Sequence, residues 1–277
     1  MNEFIKGFLW IALKNTTKAL LIIAVVVGIL FFVFGYCRAG TIPFVPSYNW
    51  YHGCGPTALA SIFGYYDNSG YPDLFEAKSW DEIRLTYMVQ DEISSPAHNY
   101  KYDGMDILSA PDSHTSIADF FETSVDPLGY GESWSGLADN AVRGCAGSRG
   151  YEFDSWQKHF CIMDVIEIIN EIDQGRPMLA LVDCIGNGSP DHFVPIIGYE
   201  YRDDLLYYAS YNTWHEREVI DWYLLRGVEP GSPFGVERIT FIEPISPIGN
   251  QNVPIPGTIW LLLSGGMLVG RMAVRVF

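Results

Sequence analysis

The chain has 277 residues, of which 48% are hydrophobic and 18% are charged, and this composition is typical of a folded globular protein rather than a disordered one. Its formal net charge is −16, and residues 39–250 alone contain 11 basic and 32 acidic residues, a net charge of −21. Such an acidic surface repels phosphate backbones, which argues against nucleic acid as a partner and fits a soluble domain or one that prefers basic substrates.

The first predicted element is an apolar segment without charge, at residues 19–36, which follows three lysines. Basic residues before an apolar run are typical of a signal peptide or of an N-terminal membrane anchor. Small residues at Ala39 and Gly40 permit cleavage, and the run is also about long enough to span a bilayer. We therefore predict that residues 1–39 direct export, as a signal peptide or as an anchor.

A helix is predicted to begin at Cys54. Pro56 suits the first helical turn, and Leu59, Ile62 and Phe63 recur at the spacing of a buried helix face. Cys54 is then the first residue of this helix, where unpaired backbone N–H groups and the positive end of the helix dipole can stabilise a thiolate.

The middle of the chain, at about 75–160, is rich in Asp, Ser and Gly, and its pattern predicts few elements. Helices at about 79–90 and 116–123 are the ones we expect there. From residue 161 the pattern is clearer, because isoleucines and a valine recur at helical spacing up to Gly175.

Three strand-like runs follow that helix, at residues 176–183, 191–201 and 205–214, and residues 202–204 form the predicted turn between the last two. The order of helix, helix and then a run of strands predicts an α+β fold. We take residues 40–250 as one domain.

Three residues of this domain suggest nucleophilic chemistry: Cys54 at a helix start, His192 at the start of a strand, and Asn212 near the end of the next strand. A hairpin centred near residue 202 would make His192 and Asn212 face each other, or nearly so, across the two strands. An imidazole can then take the thiol proton while a third group holds the ring in the required tautomer and orientation.

These segments resemble the papain-like cysteine peptidases, especially the bacteriocin-processing (double-glycine) branch. YHGCGPTALASIFGYY at 51–66 is similar to the active-site cysteine helix, and VIEIINEIDQGRPMLALVD at 165–183 followed by DHFVPIIGYEY at 191–201 is similar to the helix–strand–His block. YNTW at 211–214 resembles the Asn-Ser-Trp stretch of papain, where the Trp covers the Asn–His pair.

The resemblance implies a papain-like fold in which an N-terminal catalytic helix packs on an antiparallel β-sheet. It also implies a hydrolase without a cofactor that cleaves a peptide or protein substrate. In this scheme Cys54 is the nucleophile, His192 is the general base and Asn212 orients the imidazole.

The sequence departs from these families at the oxyanion site. They place a Gln about six residues before the cysteine, whereas this chain has Tyr48 there, and the nearest amide is Asn49. A Tyr hydroxyl or the Asn amide could donate to the oxyanion instead. We therefore treat Tyr48 and Asn49 as the oxyanion candidates.

Other polar residues leave alternatives open. Asp191 or Asp221 could orient His192 instead of Asn212, and His52 is expected to lie in a loop that lines the cleft. Asp183 and Asp191 are expected at the surface, on either side of the loop GNGSP. The chain shows no zinc or calcium motif, so no metal site is predicted.

The cysteines of an exported domain can form disulfides, and Cys145, Cys161 and Cys184 remain once Cys54 is assigned to catalysis. We favour a bond between Cys145 and Cys161, since both lie in the loop-rich part of the chain.

Three functions remain open at this point. The first is a cysteine endopeptidase, and the second is an amidase or transpeptidase that acts on cell-wall or peptide amides through the same thioester. The third is a catalytically weak papain-like domain that binds a peptide in its cleft, which the missing Gln favours.

The C-terminal segment, residues 251–277, is apolar again. Residues 253–270 carry no charge and Arg271 and Arg275 follow, after a spacer rich in Pro, Gly and Asn at about 244–256. The Val-Pro-x-Pro opening, the Trp, the Gly-rich apolar stretch and the basic end resemble the PEP-CTERM sorting signals of Gram-negative bacteria. The resemblance implies recognition by an exosortase in the inner membrane, and hence a protein that is tethered to the membrane outside the cytoplasm, at least transiently.

Overall fold

The computed structural model describes residues 39–75, 87–99, 116–125, 131–214 and 219–247 of the chain. Its helices and strands in chain order are β1 (Ala39–Thr41), α1 (Cys54–Asn68), α2 (Tyr87–Ile93), α3 (Pro96–Asn99), α4 (Ile117–Phe120), α5 (Ala138–Ser148), β2 (Tyr151–His159), α6 (Val165–Asp173), β3 (Met178–Asp183), β4 (His192–Arg202), β5 (Leu205–Ser210), β6 (Asp221–Leu224) and β7 (Gly235–Pro247).

The strands form one sheet in the order β2-β7-β3-β4-β5-β6, with β1 paired to β4. Neighbouring strands along this path are antiparallel. Helices therefore accompany an antiparallel sheet, and the predicted α+β fold with an N-terminal helix packed on the sheet is confirmed.

The two faces of the sheet are covered by different helices. Leu179 and Phe193 belong to a core cluster with the apolar residues of α1, including the three predicted from helical spacing. Residues one position along the strands, such as Ala180 and Val194, belong to a second cluster with the isoleucines of α6. Because successive side chains of a strand point to opposite faces, β3 and β4 are buried on both sides, as their nearly continuous apolar sequences require.

The hairpin between β4 and β5 turns at Asp203 and Asp204, which both have positive φ, as a two-residue turn between twisted strands requires. The pairing starts at Arg202 with Leu205 and shifts by one residue before β5 ends at Ser210. His192 and Asn212 therefore do not pair directly, because Asn212 follows the end of β5, and of the two expected arrangements only the approximate one remains.

Several elements were not predicted. The longest is the pair formed by β2 and β7, and α5 was missed as well. The first half of β2 alternates buried and exposed residues, but its sequence YEFDSWQKH contains too few apolar residues to stand out. The predicted spacer at 244–256 begins inside β7, which continues to Pro247.

The predicted helix at 116–123 is shorter in the structure, where α4 covers only Ile117–Phe120. The helix predicted at about 79–90 falls mostly outside the described residues, although α2 begins at Tyr87. The predicted N-terminal and C-terminal apolar segments also lie outside them. Among the residues that the structure describes, no helix has the length and apolar character needed to cross a membrane.

The predicted disulfide is wrong, since Cys54, Cys145, Cys161 and Cys184 are all free thiols. Cys145 is buried in α5, where its sulfur lies 2.8 Å from Nη1 of Arg149, whereas Cys161 is exposed at the surface.

Candidate active site

Cys54 is the first residue of α1, as predicted. The preceding Gly53 has a φ of 137°, a conformation that residues with a side chain rarely adopt, so the chain can enter the helix sharply at this position. The Thr57 hydroxyl donates to the carbonyl of Gly53 at 2.7 Å and accepts from the N–H of Tyr51 at 3.1 Å. One side chain of the first helical turn thus holds the loop that carries the cysteine.

The Cys54 thiol faces the beginning of β4. Burial raises its pKa, while backbone N–H groups of Phe193, Gly55 and Cys54 itself act in the opposite direction by pointing at the sulfur. A Cβ at Gly55 would lie 3.4 Å from the Phe193 ring. The helix end and the strand start therefore meet at Cys54, and the residue that follows His192 contacts both the sulfur and the glycine beside it.

His192 is buried, with 2% of its surface exposed, and its Nε2 lies 2.9 Å from the carbonyl oxygen of Asn212. Because a carbonyl only accepts, Nε2 carries the hydrogen, and in the neutral ring Nδ1 is then the basic nitrogen. The Trp214 indole stacks on the imidazole with ring centroids 4.1 Å apart. The ring is thus fixed by one hydrogen bond and one covering aromatic side chain.

Asn212 holds His192 through its main chain and not through its side chain. The side-chain Oδ1 accepts from the N–H of Trp214 at 3.0 Å, and the side chain also forms a hydrogen bond with Tyr223. The structure thus brings Asn212 to His192, but the atom that contacts the imidazole is the carbonyl oxygen. The side chain instead fixes the turn that places the carbonyl and the Trp214 indole.

The electrostatics of the site favour two neutral partners. Burial lowers the pKa of His192, while the Asn212 carbonyl and the charge of Asp191 oppose this shift. Burial also raises the pKa of the Cys54 thiol. Desolvation therefore acts against the charged form of each group, in opposition to the stabilisation of a thiolate that is expected from the helix terminus.

The structure does not bring Tyr48 to the predicted oxyanion site. Its ring is buried and stacks on Phe75, and its hydroxyl lies 2.8 Å from the position that a Cβ on Gly64 would occupy. Gly64 is ten residues beyond Cys54 on the same helix, which corresponds to about 15 Å along the axis. The sequence position suggested a polar donor, but the aromatic ring of Tyr48 belongs to the hydrophobic core.

Asn49 lies closer to the other residues of the site. The next residue, Trp50, donates its N–H to the carbonyl of Thr213 at 2.7 Å, so residues 49–50 run beside the segment that holds His192. The Asn49 Oδ1 is buried and has no hydrogen-bond partner among the described residues. Of the two oxyanion candidates, only Asn49 is part of the loop next to the site.

The remaining acids have different roles. Asp191 is exposed and accepts the N–H of Cys184 at 2.8 Å, so it acts on the site only through its charge. Asp183 was expected at the surface, which is wrong, because it is fully buried and its carboxylate accepts the backbone N–H groups of residues 186–188. It folds the loop between β3 and β4 and thereby fixes the start of β4.

His52 and Asp221 are also placed by the structure. His52 packs edge-on against the ring of Tyr51 in the loop before Cys54, and burial lowers its pKa. Asp221 is the first residue of β6 and pairs with Ser210 at the end of β5. The group that accepts from Nε2 of His192 is the carbonyl of Asn212 and not Asp221. Within the described part of the chain, no group of three metal-binding side chains occurs.

Two residues from the middle of the chain lie against the glycines around Cys54, and neither was predicted. A Cβ on Gly53 would lie 2.9 Å from Cγ2 of Thr123, and one on Gly55 would lie 2.9 Å from Oγ of Ser133. The only signal in the sequence is the pair of glycines, since a missing side chain permits close approach of another segment.

A buried imidazole with a fixed tautomer near a thiol at a helix terminus can support nucleophilic attack on a carbonyl group. Comparison with curated proteins finds no match. A family model described as the Peptidase_C39 like family matches residues 42–227, which is more than half of the chain and includes Cys54, His192 and Asn212. This match indicates a cysteine peptidase with a papain-like fold, and the chain thus belongs to the Peptidase_C39 like family.

Proposed function

We propose that this protein is an exported, membrane-tethered cysteine peptidase in which Cys54 is the nucleophile, His192 is the general base and Asn212 orients the imidazole. The observation that carries the proposal is the bond from Nε2 of His192 to the carbonyl of Asn212, which leaves Nδ1 as the basic nitrogen of the ring. The next residue, Phe193, directs its backbone N–H at the Cys54 sulfur.

The proposed reaction begins when Nδ1 of His192 takes the Cys54 proton as the sulfur attacks the carbonyl carbon of a peptide bond. The tetrahedral intermediate then collapses, the C–N bond breaks, and His192 gives the proton to the leaving amine. This leaves a thioester, which water hydrolyses by the same proton transfers in the second half of the reaction.

Stabilisation of the oxyanion rests on the free helix end and on Asn49. The N–H of Cys54 has no partner within the helix, because it belongs to the first turn. The Tyr48 hydroxyl does not contribute, because it lies beside Gly64, ten residues beyond Cys54 on α1. The Nδ2 group of Asn49, in the loop beside residues 212–214, is the side-chain donor that we propose for the second position.

A peptide-binding module is the second candidate, and the location of Tyr48 in the core is the observation that favours it. Loss of one oxyanion donor costs roughly a hundredfold or more in rate, which would leave a cleft that binds peptide and turns it over slowly. An amidase or transpeptidase would use the same thioester with a cell-wall amide or with an amine in place of water, and the product distinguishes it.

The first prediction concerns turnover. Cys54→Ala and His192→Ala should each reduce hydrolysis of a mixed peptide library by at least about a thousandfold, because the two groups act as one unit. Cleavage is followed by mass spectrometry with the purified full-length protein. Cys161→Ala is the matched control, since this exposed thiol lies outside the site, and it should retain full activity.

The outcome of that experiment separates the candidate functions. Peptide products that contain one added water support the peptidase, and release from cell-wall fragments alone supports the amidase. If the wild-type protein binds peptides but cleaves none of them, the peptidase proposal fails and the binding module replaces it.

The second prediction follows from the bond between His192 and the main chain of Asn212. Asn212→Ala keeps the carbonyl and loses only the contacts of the side chain, so kcat should fall by about tenfold to a hundredfold, well short of the loss in His192→Ala. Steady-state kinetics on one cleaved peptide measures this difference. Equal losses in the two variants would show that the side chain is essential for holding the imidazole.

The third prediction concerns pH. Only neutral His192 can accept the thiol proton, so kcat/KM should rise with pH through the lowered pKa of His192, with a midpoint below the ordinary histidine value of about 6.5. Asp191→Asn removes a charge that favours the imidazolium and should move the midpoint lower still. Asp203→Asn, in the exposed turn after β4, is the control and should leave it unchanged, whereas a wild-type midpoint above 6.5 would contradict the assignment.

The fourth prediction concerns location, and the apolar segments at residues 19–36 and 253–270 support it, as does the basic end at Arg271 and Arg275. We propose that an exosortase-like enzyme recognises residues 251–277. Fractionation of cells should place the full-length protein in the membrane fraction, and deletion of residues 251–277 should reduce that association. A full-length protein found only in the cytoplasm would overturn the proposed export.

A further inference from the structure

A second histidine, His98, forms a buried ion pair with Asp119 outside the site described above. Its Nδ1 lies 2.7 Å from Oδ1 of Asp119, and its Nε2 lies 2.9 Å from the carbonyl oxygen of Thr123. The ring of His98 thus connects two acceptor groups, the carboxylate of Asp119 and the carbonyl of Thr123, through its two nitrogens. Both side chains are more than nine-tenths buried.

Each partner is also held by the serine that directly precedes its own short helix. The N–H of His98, in α3, donates to Oγ of Ser95 at 3.1 Å. The other carboxylate oxygen of Asp119, in α4, accepts from the N–H and the hydroxyl of Ser116 at 2.9 and 2.7 Å. Burial opposes ionisation of Asp119, but the hydrogen bonds from His98 and Ser116 hold the pKa of this carboxyl well below its usual range.

The bond from His98 to Thr123 connects the ion pair to a segment that we call the bracket, defined by its described residues Thr123–Val125 and Gly131–Ser133. Ser124 exchanges backbone hydrogen bonds with Gly131 and Glu132, at 2.9 and 2.8 Å. The hydroxyls of Thr123 and Ser133 lie 2.9 Å apart. The two sides of the bracket are therefore bonded to each other, and His98 contacts the first side at the carbonyl of Thr123.

The bracket contacts the residues on both sides of Cys54. Gly53 has no room for a side chain, because a Cβ there would lie 2.9 Å from Cγ2 of Thr123 and 3.0 Å from the carbonyl oxygen of Gly131. A Cβ on Gly55 would likewise lie 2.9 Å from Oγ of Ser133. The turn that presents the Cys54 sulfur and its N–H thus rests on the bracket, and the bracket rests on the ion pair.

We infer that His98 and Asp119 are positioning residues for Cys54, an inference that rests on the proposed peptidase function. They act through the bracket, which holds Gly53 and Gly55 in place so that the sulfur and the Cys54 amide meet the substrate carbonyl in the required geometry. Neither residue takes part in the proton transfers. A displacement of about 1 Å at a reacting atom lowers a rate by about a hundredfold, so a small shift of the bracket is enough to matter.

The test compares two variants that make the same chemical change at two buried ion pairs. Asp119→Asn removes the charge that faces His98. Glu171→Gln removes the charge that faces Arg176, in α6 on the other face of the sheet. Both replacements keep the shape of the side chain, so their effects on melting temperature should be similar. Glu171→Gln is therefore the control, because it shows how the loss of a buried ion pair away from the site affects stability and activity.

For Asp119→Asn we expect kcat to fall by about tenfold to a hundredfold while KM stays within about twofold of the wild-type value. For Glu171→Gln both constants should stay at the wild-type values. Hydrogen exchange in residues 51–57 supplies a second measurement that does not need activity. It should be faster in Asp119→Asn, because the N–H groups of Tyr51 and Thr57 are bonded within the loop that the bracket supports.

The two measurements separate failure of this inference from failure of the proposed function. A wild-type protein without hydrolysis overturns the peptidase, while the exchange comparison still decides the positioning role. If Asp119→Asn and Glu171→Gln have the same kcat and the same exchange in residues 51–57, the inference is overturned.

A milder variant covers the case in which Asp119→Asn does not fold. Thr123→Ser removes the methyl group that contacts Gly53 and keeps the carbonyl and the hydroxyl of the bracket. It should accelerate exchange in residues 51–57 and lower kcat by about threefold to tenfold. Unchanged exchange together with unchanged kcat in this variant would overturn the inference as well.

Discussion

The contact between the first turn of α1 and the first residues of β4 sets the relative positions of the thiol and the imidazole, and the rest of the domain must hold this contact in place. A thiol at a helix end and an imidazole at a strand start lie 138 residues apart in the sequence, and they meet only if the helix and the sheet are held rigidly against each other. The apolar face of α1 packs on Phe193 and Leu179, and this packing fixes the distance between the two elements. α6 covers the opposite face and keeps β3 and β4 buried.

The same burial that brings the two groups together also controls their charge. Desolvation raises the pKa of the Cys54 thiol and lowers that of His192, so it opposes the ion pair that a helix terminus and a nearby base would otherwise favour. The charge of Asp191 raises both pKa values, and its sign therefore favours protonation of both groups.

The sequence predicted the parts of the site that lie on regular elements. Cys54 at a helix start and His192 at a strand start follow from local apolar patterns, which are strong in α1, α6 and β3 to β5. The geometry of Asn212 was harder to predict, because one shifted residue in the β4–β5 pairing and the early end of β5 place it beyond the strand. A pattern of residue types also cannot distinguish a contact through the Asn212 side chain from one through its carbonyl, nor show that Tyr48 turns into the core.

The middle of the chain was the least predictable from sequence, and the structure gives a physical reason. Residues 116–125 and 131–137 contain helices too short to show a periodic apolar pattern, and they combine buried apolar residues such as Ile117 and Phe121 with buried polar contacts. The buried position of His98 has no sequence signature, since its contacts are a carboxylate 21 residues away and a carbonyl 25 residues away. Hydrogen bonds have preferred angles, whereas apolar packing does not, so hydrogen bonds can fix the orientation of a loop. A loop that must hold a glycine-flanked nucleophile in one conformation depends on such contacts.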